Sequence, residues 1–183
     1  MKKIFLIIFL LIPILANAKS YRSELRSATE RGQIYDTTTW DAKLIWHATL
    51  FTDEYRRAYT DRHIKINHLS ARESARYVAT QMEDQAEEWE FFISFYSKKA
   101  YKHFEQTKNS FWKIELSTSS GEVLKPYKVE FVPITPYQTE MFPHLNMWSK
   151  AYKVTFRKAE LGKKASLSLK SVVGSSVLKF KLK

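Results

Sequence analysis

The feature that most constrains the fold of this chain is a change of hydrophobic period near residue 88. From there onward, large apolar side chains recur at every second position, and the first such segment, residues 89–96, is bulky at both alternating sets of positions. A period of two is that of a β-strand, and a strand that is apolar on both faces is buried on both sides. We therefore predict that residues 89–96 form a central strand.

Five further segments alternate in the same way, but with apolar residues on one side only. They lie at residues 112–117, 127–131, 152–157, 167–170 and 178–183. Short one-sided strands separated by turns are typical of an antiparallel β-sandwich. We predict such a sandwich, of six to seven strands, over residues 89–183.

The region before residue 89 has a helical pattern instead. Ser20 is a suitable N-cap for a short first helix, which Gly32 would close, and Ser70 with Glu73 forms a capping box that opens another. A helix between them is predicted from apolar residues at spacings of four and three: Leu44, Ala48, Phe51, Tyr55 and Ala58. The predicted fold class is α+β. Two to three helices within residues 19–88 pack on the sandwich, and the two parts form one cooperative unit.

The N-terminus has the three parts of a signal peptide. Lys2 and Lys3 precede an apolar run at residues 4–15, and Ala16-Asn17-Ala18 is a small-x-small cleavage site. We expect residues 1–18 to be removed and the protein to be exported, into the periplasm or peripheral to the envelope. The apolar run is shorter than the roughly twenty residues of a membrane-spanning helix. The chain also has no cysteine to carry a lipid, so we expect neither a span nor a lipoprotein.

Composition favours anionic partners. The formal net charge is +11, which becomes +9 once Lys2 and Lys3 are removed with the signal. Such a charge attracts anionic lipid, polymer or nucleic acid, although it is also compatible with a basic protein that binds none of them. Because export separates the protein from nucleic acid, none is expected as a partner. The absence of cysteine excludes thiol catalysis and cysteine-ligated metal centres in this chain.

Lysines are concentrated near the C-terminus. Those at alternating positions of the last strand would project from one face, and others lie nearby if the last two strands pair. The candidate anion-binding set is Lys163, Lys164, Lys170, Lys179, Lys181 and Lys183. One interpretation is that they hold an anionic envelope surface. The other is that they protect an exposed edge strand from pairing with another chain.

The longest non-periodic segment of the β region is residues 133–148, which is rich in proline and aromatic residues. Long loops of this kind are often functional. Tyr137, Phe142 and Trp148 are candidates for a partner-binding patch if they are exposed. The alternative is that the loop folds back onto the core.

A possible metal site lies within this loop. Met141 and Met147 flank His144 symmetrically, and thioether with imidazole ligands suits Cu(I). The ligand types resemble those of periplasmic copper chaperones, but the surrounding sequence does not. Ordinary packing of these side chains is the alternative.

No constellation of catalytic residues stands out in the sequence. Glu83, Asp84, Glu87 and Glu88 indicate a solvated helix face rather than a carboxylate pair across a cleft, and the serines have no nucleophile-elbow context. The leading hypothesis is a non-enzymatic, exported binding or structural protein that engages an anionic envelope component or a protein partner. The alternatives are a Cu(I)-binding protein and a cell-wall-directed enzyme whose site is not identified.

Overall fold

A computed structural model describes residues 20–98, 104 and 110–182. The predicted signal peptide, Lys19 and Lys183 lie outside the described residues. The helices are α1 (Tyr21–Ala28), α2 (Asp53–Ile66), α3 (Ala71–Glu87) and α4 (Pro136–Met141). The strands are β1 (Thr29–Tyr35), β2 (Ala42–Leu50), β3 (Glu88–Ser97), β4 (Lys113–Ser117), β5 (Val123–Leu124), β6 (Lys128–Val132), β7 (Lys150–Arg157), β8 (Lys164–Ser171) and β9 (Gly174–Lys181). None of the described helices is long and apolar enough to cross a membrane.

The strands form two antiparallel sheets. The larger has the order β1-β2-β3-β7-β6, and the smaller has the order β5-β4-β8-β9. The α+β class is confirmed, and each strand predicted after residue 88 is present. Strand β3 is buried along most of its length, as its two apolar faces predict. The described residues contain nine strands: seven (β3–β9) lie in the region predicted as a sandwich of six to seven strands, and β1 and β2 come from the region predicted to be helical.

The prediction of helix between Leu44 and Leu50 is wrong, since these residues belong to β2. Leu44, Trp46, Ala48 and Leu50 alternate at a period of two, and all four are fully buried. A spacing of four, as between Leu44 and Ala48, fits two repeats of a strand as well as one turn of a helix. The pattern was therefore ambiguous, and pairing with β1 and β3 decides it. The first helix likewise ends at Ala28, before Gly32.

The main core lies between the two sheets. Apolar side chains from β2, β3 and β7 face those from β4, β8 and β9 in one continuous cluster. Phe91 shows the packing, since its ring makes edge contacts with Phe156 of its own sheet and Phe180 of the other, at centroid distances of 5.7 and 5.4 Å. Burial of this shared face is the main stabilising contribution to the sandwich.

A second core lies on the opposite face of the larger sheet, beneath the helices. Phe51, Tyr55, Phe92 and Met141 belong to it, together with Phe142. Two helices begin at the predicted caps, since Ser20 accepts a hydrogen bond from Ser23 N and the Ser70–Glu73 capping box is confirmed. Helix α2 begins after Thr52, whose hydroxyl accepts from Tyr55 N, a cap that was not predicted. The larger sheet is thus covered on one side by the smaller sheet and on part of the other by helices.

Two features lie at the margins of the fold. Helix α3 has no buried residue, and the apolar side chain of its Met82 is 66% exposed. At the other margin, β1 and β9 approach each other closely at Gly32. A methyl group there would collide with Trp46 and would lie 2.5 Å from Ser176 Oγ, and the Trp46 indole donates to that same hydroxyl.

Candidate functional site

The helices leave part of the larger sheet uncovered, and a pocket of about 350 Å³ lies there. Its floor comes from two register pairs of neighbouring strands, His47 with Ser94 and Ile45 with Tyr96. These side chains share a face because alternate residues of paired strands point the same way. The segment from His144 to Ser149 forms a wall. We call this cavity the histidine pocket.

Two imidazole rings lie side by side in the histidine pocket. The rings of His47 and His144 stack at a centroid distance of 4.7 Å and an interplanar angle of 28°. His47 Nδ1 and Ser94 Oγ are 3.2 Å apart and share a hydrogen bond. The Nε2 atom of His144 is buried and has no hydrogen-bond partner among the described residues. Because buried polar atoms are normally paired, this nitrogen is an exception that calls for explanation.

Both histidines are uncharged at neutral pH. Burial lowers the pKa of His144 to about 4, and the neighbouring His47 lowers it further. Burial also lowers the pKa of His47, with a smaller contribution from Arg31, its cross-strand partner on β1. Two imidazolium ions in contact would repel each other in a poorly solvated site, so the neutral forms are favoured. The pair therefore offers both donors and acceptors of hydrogen bonds, but no charge.

A tight turn positions the aromatic residue of the wall. The backbone N–H of Trp148 and the hydroxyl of Ser149 both donate to Asn146 Oδ1, at 2.9 and 3.1 Å, and Ser149 N donates to Asn146 O. The turn presents Trp148 outward, with 72% of its surface exposed. An indole this exposed in a residue that lines a cavity is available to a ligand.

The other aromatic candidates of the loop are not exposed at the surface. Phe142 is buried, and its ring stacks on Phe92 at 3.7 Å and an angle of 5°. Tyr137 is half-buried, and its hydroxyl is 2.6 Å from His63 Nδ1. The segment 133–148 thus divides into α4 and Phe142, which pack on the core, and a turn that carries Trp148 at the surface.

The proposed copper ligands lie in different surroundings. Met141 is fully buried in the core beneath the helices, whereas Met147 is 85% exposed. His144 lies instead against His47, which is about a hundred positions away in sequence. The two thioethers therefore differ sharply in burial, which does not favour one metal site shared with His144.

Most of the lysine candidates share one surface. Lys164, Lys170, Lys179 and Lys181 occupy positions that alternate with buried residues of β8 and β9, so they lie on the outer face of the smaller sheet. Lys113 of β4 is the register partner of Lys170 and joins them. We call these five residues the lysine face. Lys163 is exposed in the turn just before β8.

An acidic group lies at the start of β3. Asp84, Glu88 and Glu90 present carboxylate oxygens close enough together to hold a cation. Glu90, however, is already within 3.2 Å of both Arg56 Nη2 and Lys153 Nζ, and Glu88 accepts a hydrogen bond from Tyr127. Two of the three carboxylates thus already bind groups of the protein itself: Glu90 binds two cationic side chains, and Glu88 binds a hydroxyl.

Sequence reasoning missed the floor of the histidine pocket. His47 lies within the segment that was predicted to be helical, and Ser94 lies within the predicted central strand; neither was named as a site residue. The usable signal was the strict alternation of residues 44–50, which would have placed His47 on a strand facing away from the main core.

No protein-family model matches this chain, and neither the curated proteins nor the solved structures contain a match to it.

Proposed function

We propose that this is an exported, non-enzymatic binding protein that is held to an anionic surface of the cell envelope by the lysine face. The observation that carries the proposal is the location of five lysines on one exposed face of the smaller sheet. The signal-peptide pattern of residues 1–18 supports export, and the net positive charge supports an anionic partner.

The spacing of these lysines supports binding to a phosphate-bearing surface. Residues two apart on a strand are separated by about 6.8 Å, and neighbouring strands lie about 4.8 Å apart. Lys164 and Lys181 are register partners, and Lys179 is two positions from Lys181, so these three lysines lie close together at one end of the face. Lys113 and Lys170 are register partners at the other end, six residues or about 20 Å along β8. Glu115 pairs with Lys170 at 2.6 Å, and Lys181 lines a cavity with Glu24, Asp53 and Glu54, so part of the positive charge is balanced within the protein.

The edge-protection interpretation has less support. Lysines protect a strand whose edge is open to solvent, and in this sheet β9 is such a terminal strand. Three of the five lysines lie instead on β4 and β8, which are interior strands of the sheet. The Cu(I) alternative also lacks support, because Met141 and Met147 do not lie in the same surroundings.

The test is sedimentation of the mature protein with lipid vesicles. Vesicles of phosphatidylglycerol and phosphatidylcholine in equal parts should bind the protein at low salt and release it at high salt. Screening shortens the Debye length from about 30 Å at 0.01 M salt to about 3 Å at 1 M. Vesicles of phosphatidylcholine alone should not bind it.

Charge reversal locates the binding surface. Each lysine near an anionic membrane contributes about 1 kcal/mol, so Lys179→Glu with Lys181→Glu should weaken binding by at least about thirtyfold. The matched control is Lys65→Glu with Arg72→Glu, which changes net charge equally at exposed positions on α2 and α3, away from the smaller sheet. The proposal is wrong if the two double variants lose binding equally, or if the unaltered protein does not bind at low salt.

A further inference from the structure

We propose that the histidine pocket binds an uncharged sugar ring, with Trp148 as the surface on which the ring packs. This inference is independent of the lysine face, because the pocket lies on the larger sheet and the lysines lie on the outer face of the smaller one. It assigns a ligand class to a cavity whose residues the proposed function does not use.

The charge of the lining is the first argument. The chain is 27% charged, yet the described residues that line this pocket include no Asp, Glu, Lys or Arg. His47 and His144 are neutral at pH 7 because burial disfavours their charged forms. Arg31 approaches His47 from β1 but does not line the cavity. An anionic or cationic ligand would lose its hydration here without gaining an ion pair, so a neutral ligand is favoured.

The hydrogen-bonding groups are the second argument. The lining combines two imidazoles with the hydroxyls of Ser94 and Ser149 and the amide of Asn146. These groups include both donors and acceptors. Some of these groups already pair with one another, as His47 Nδ1 does with Ser94 and Ser149 does with Asn146. A purely apolar ligand would cover their remaining donors and acceptors, which is costly. The ligand must therefore donate and accept at several points, and the hydroxyl groups of a sugar do both.

The third argument is the exposed indole. Trp148 is 72% exposed and is held in position by the Asn146 turn. A pyranose ring has a face of C–H groups that packs against an aromatic surface and a rim of hydroxyls that reaches polar groups beside it. An amphipathic lining of this kind matches that shape. The volume of about 350 Å³ is at the small end of ligand cavities, which suits one or two sugar units.

The geometry of the two imidazoles argues against a metal ion as the ligand. The lone pair of an imidazole nitrogen lies in the plane of its ring. Because the rings of His47 and His144 are stacked, with 28° between their planes, their lone pairs do not converge on one point. The described residues that could together hold a metal ion through three His, Asp or Glu side chains are Asp84, Glu88 and Glu90, and none of them lines this pocket.

The experiment is titration of the mature protein with neutral oligosaccharides. The probes are the trimers of glucose in α-1,4 and β-1,4 linkage and the β-1,4 trimer of N-acetylglucosamine, with binding followed by tryptophan fluorescence and by calorimetry. At least one probe should bind. Trp148→Ala should weaken that binding at least tenfold. Because this side chain is mostly exposed, its removal should leave the fold intact, which circular dichroism would verify.

A matched control is present in the chain. Trp40 is 81% exposed and does not line the pocket, so Trp40→Ala should bind the same sugar with unchanged affinity. The proposal is overturned if none of the three sugars binds at millimolar concentration. It is also overturned if Trp148→Ala binds as tightly as the unaltered protein, or if the pocket takes a flat heteroaromatic such as adenosine in preference to every sugar. The vesicle assay with Lys179→Glu and Lys181→Glu reports on the proposed function separately.

Discussion

A buried carboxylate links the helices to the larger sheet, and its removal should destabilise the protein strongly. Glu90 Oε2 lies 3.2 Å from Arg56 Nη2 of α2, and the two side chains are only 8% and 3% exposed. Lys153 of β7 reaches the same oxygen at 3.2 Å. Arg56 also donates to Gln81 of α3 at 3.1 Å, so one guanidinium connects two helices to a central strand.

The perturbation is Glu90→Gln, which keeps the shape of the side chain and removes its charge. Breaking a buried ion pair by removing one partner costs about 3–5 kcal/mol, because the remaining charge stays buried without compensation. A glutamine oxygen can still accept one hydrogen bond from Arg56, and Lys153 is one-third exposed, so water can solvate its charge. We therefore expect a loss near the lower end of that range, about 3 kcal/mol of unfolding free energy.

The assay is urea denaturation of the mature protein at pH 7, with Asp41→Asn as the control. Asp41 pairs with Lys98 at 2.6 Å, but these side chains are 54% and 45% exposed, and an exposed pair contributes at most about 1 kcal/mol. A loss for Glu90→Gln no greater than that for Asp41→Asn would refute the view that burial makes the Glu90 interactions strong.

Two further predictions concern the loop and the histidine pocket. Phe142→Ala should lower the free energy of unfolding by about 3–5 kcal/mol, because it leaves a cavity beside Phe92. The exposed Met147→Ala should change it by less than about 0.5 kcal/mol, and similar effects of the two in urea denaturation would contradict the packing of the loop. Because the pKa of His144 falls from 6.5 to about 4 on folding, the unfolded chain takes up a proton first as pH falls. The contribution of neutral His144 to the free energy of unfolding is therefore fully present above pH 6.5, and it declines by up to about 3 kcal/mol as the pH falls toward 4. His144→Gln should flatten that decline in denaturation curves at pH 7, 5.5 and 4, and an unchanged decline would show that this proton uptake does not contribute.

Apart from the two-residue β5, the strands from β3 onward could be predicted because their apolar residues alternate cleanly. Strands β8 and β9 are also adjacent in sequence, so a hairpin places their lysines on one face without any long-range information. Strand β1 has the sequence TERGQIY, in which only two side chains are large and apolar. This segment becomes a strand because it pairs with β2, and its own sequence pattern does not indicate that pairing.

The histidine pocket could not be predicted for a different reason. His144 lies in a loop, and His47 lies on a strand that was interpreted as helix. The contact between them depends on the register of β2 with β3 and on how α4 and Phe142 direct the chain back over the sheet. Each of these is a property of tertiary packing, so the sequence could identify only the loop, with His144 and Trp148 as candidate residues.

The close approach of β1 and β9 at Gly32 has a consequence for self-association. An open strand edge can act as a template for another copy of the chain, and β1 and β9 are the terminal strands of their sheets. A Cβ at position 32 would lie 2.3 Å from the Trp46 indole nitrogen and 2.5 Å from Ser176 Oγ. A side chain there would therefore push apart two strands that each end a sheet, and we expect such a variant to self-associate more readily than the unaltered protein.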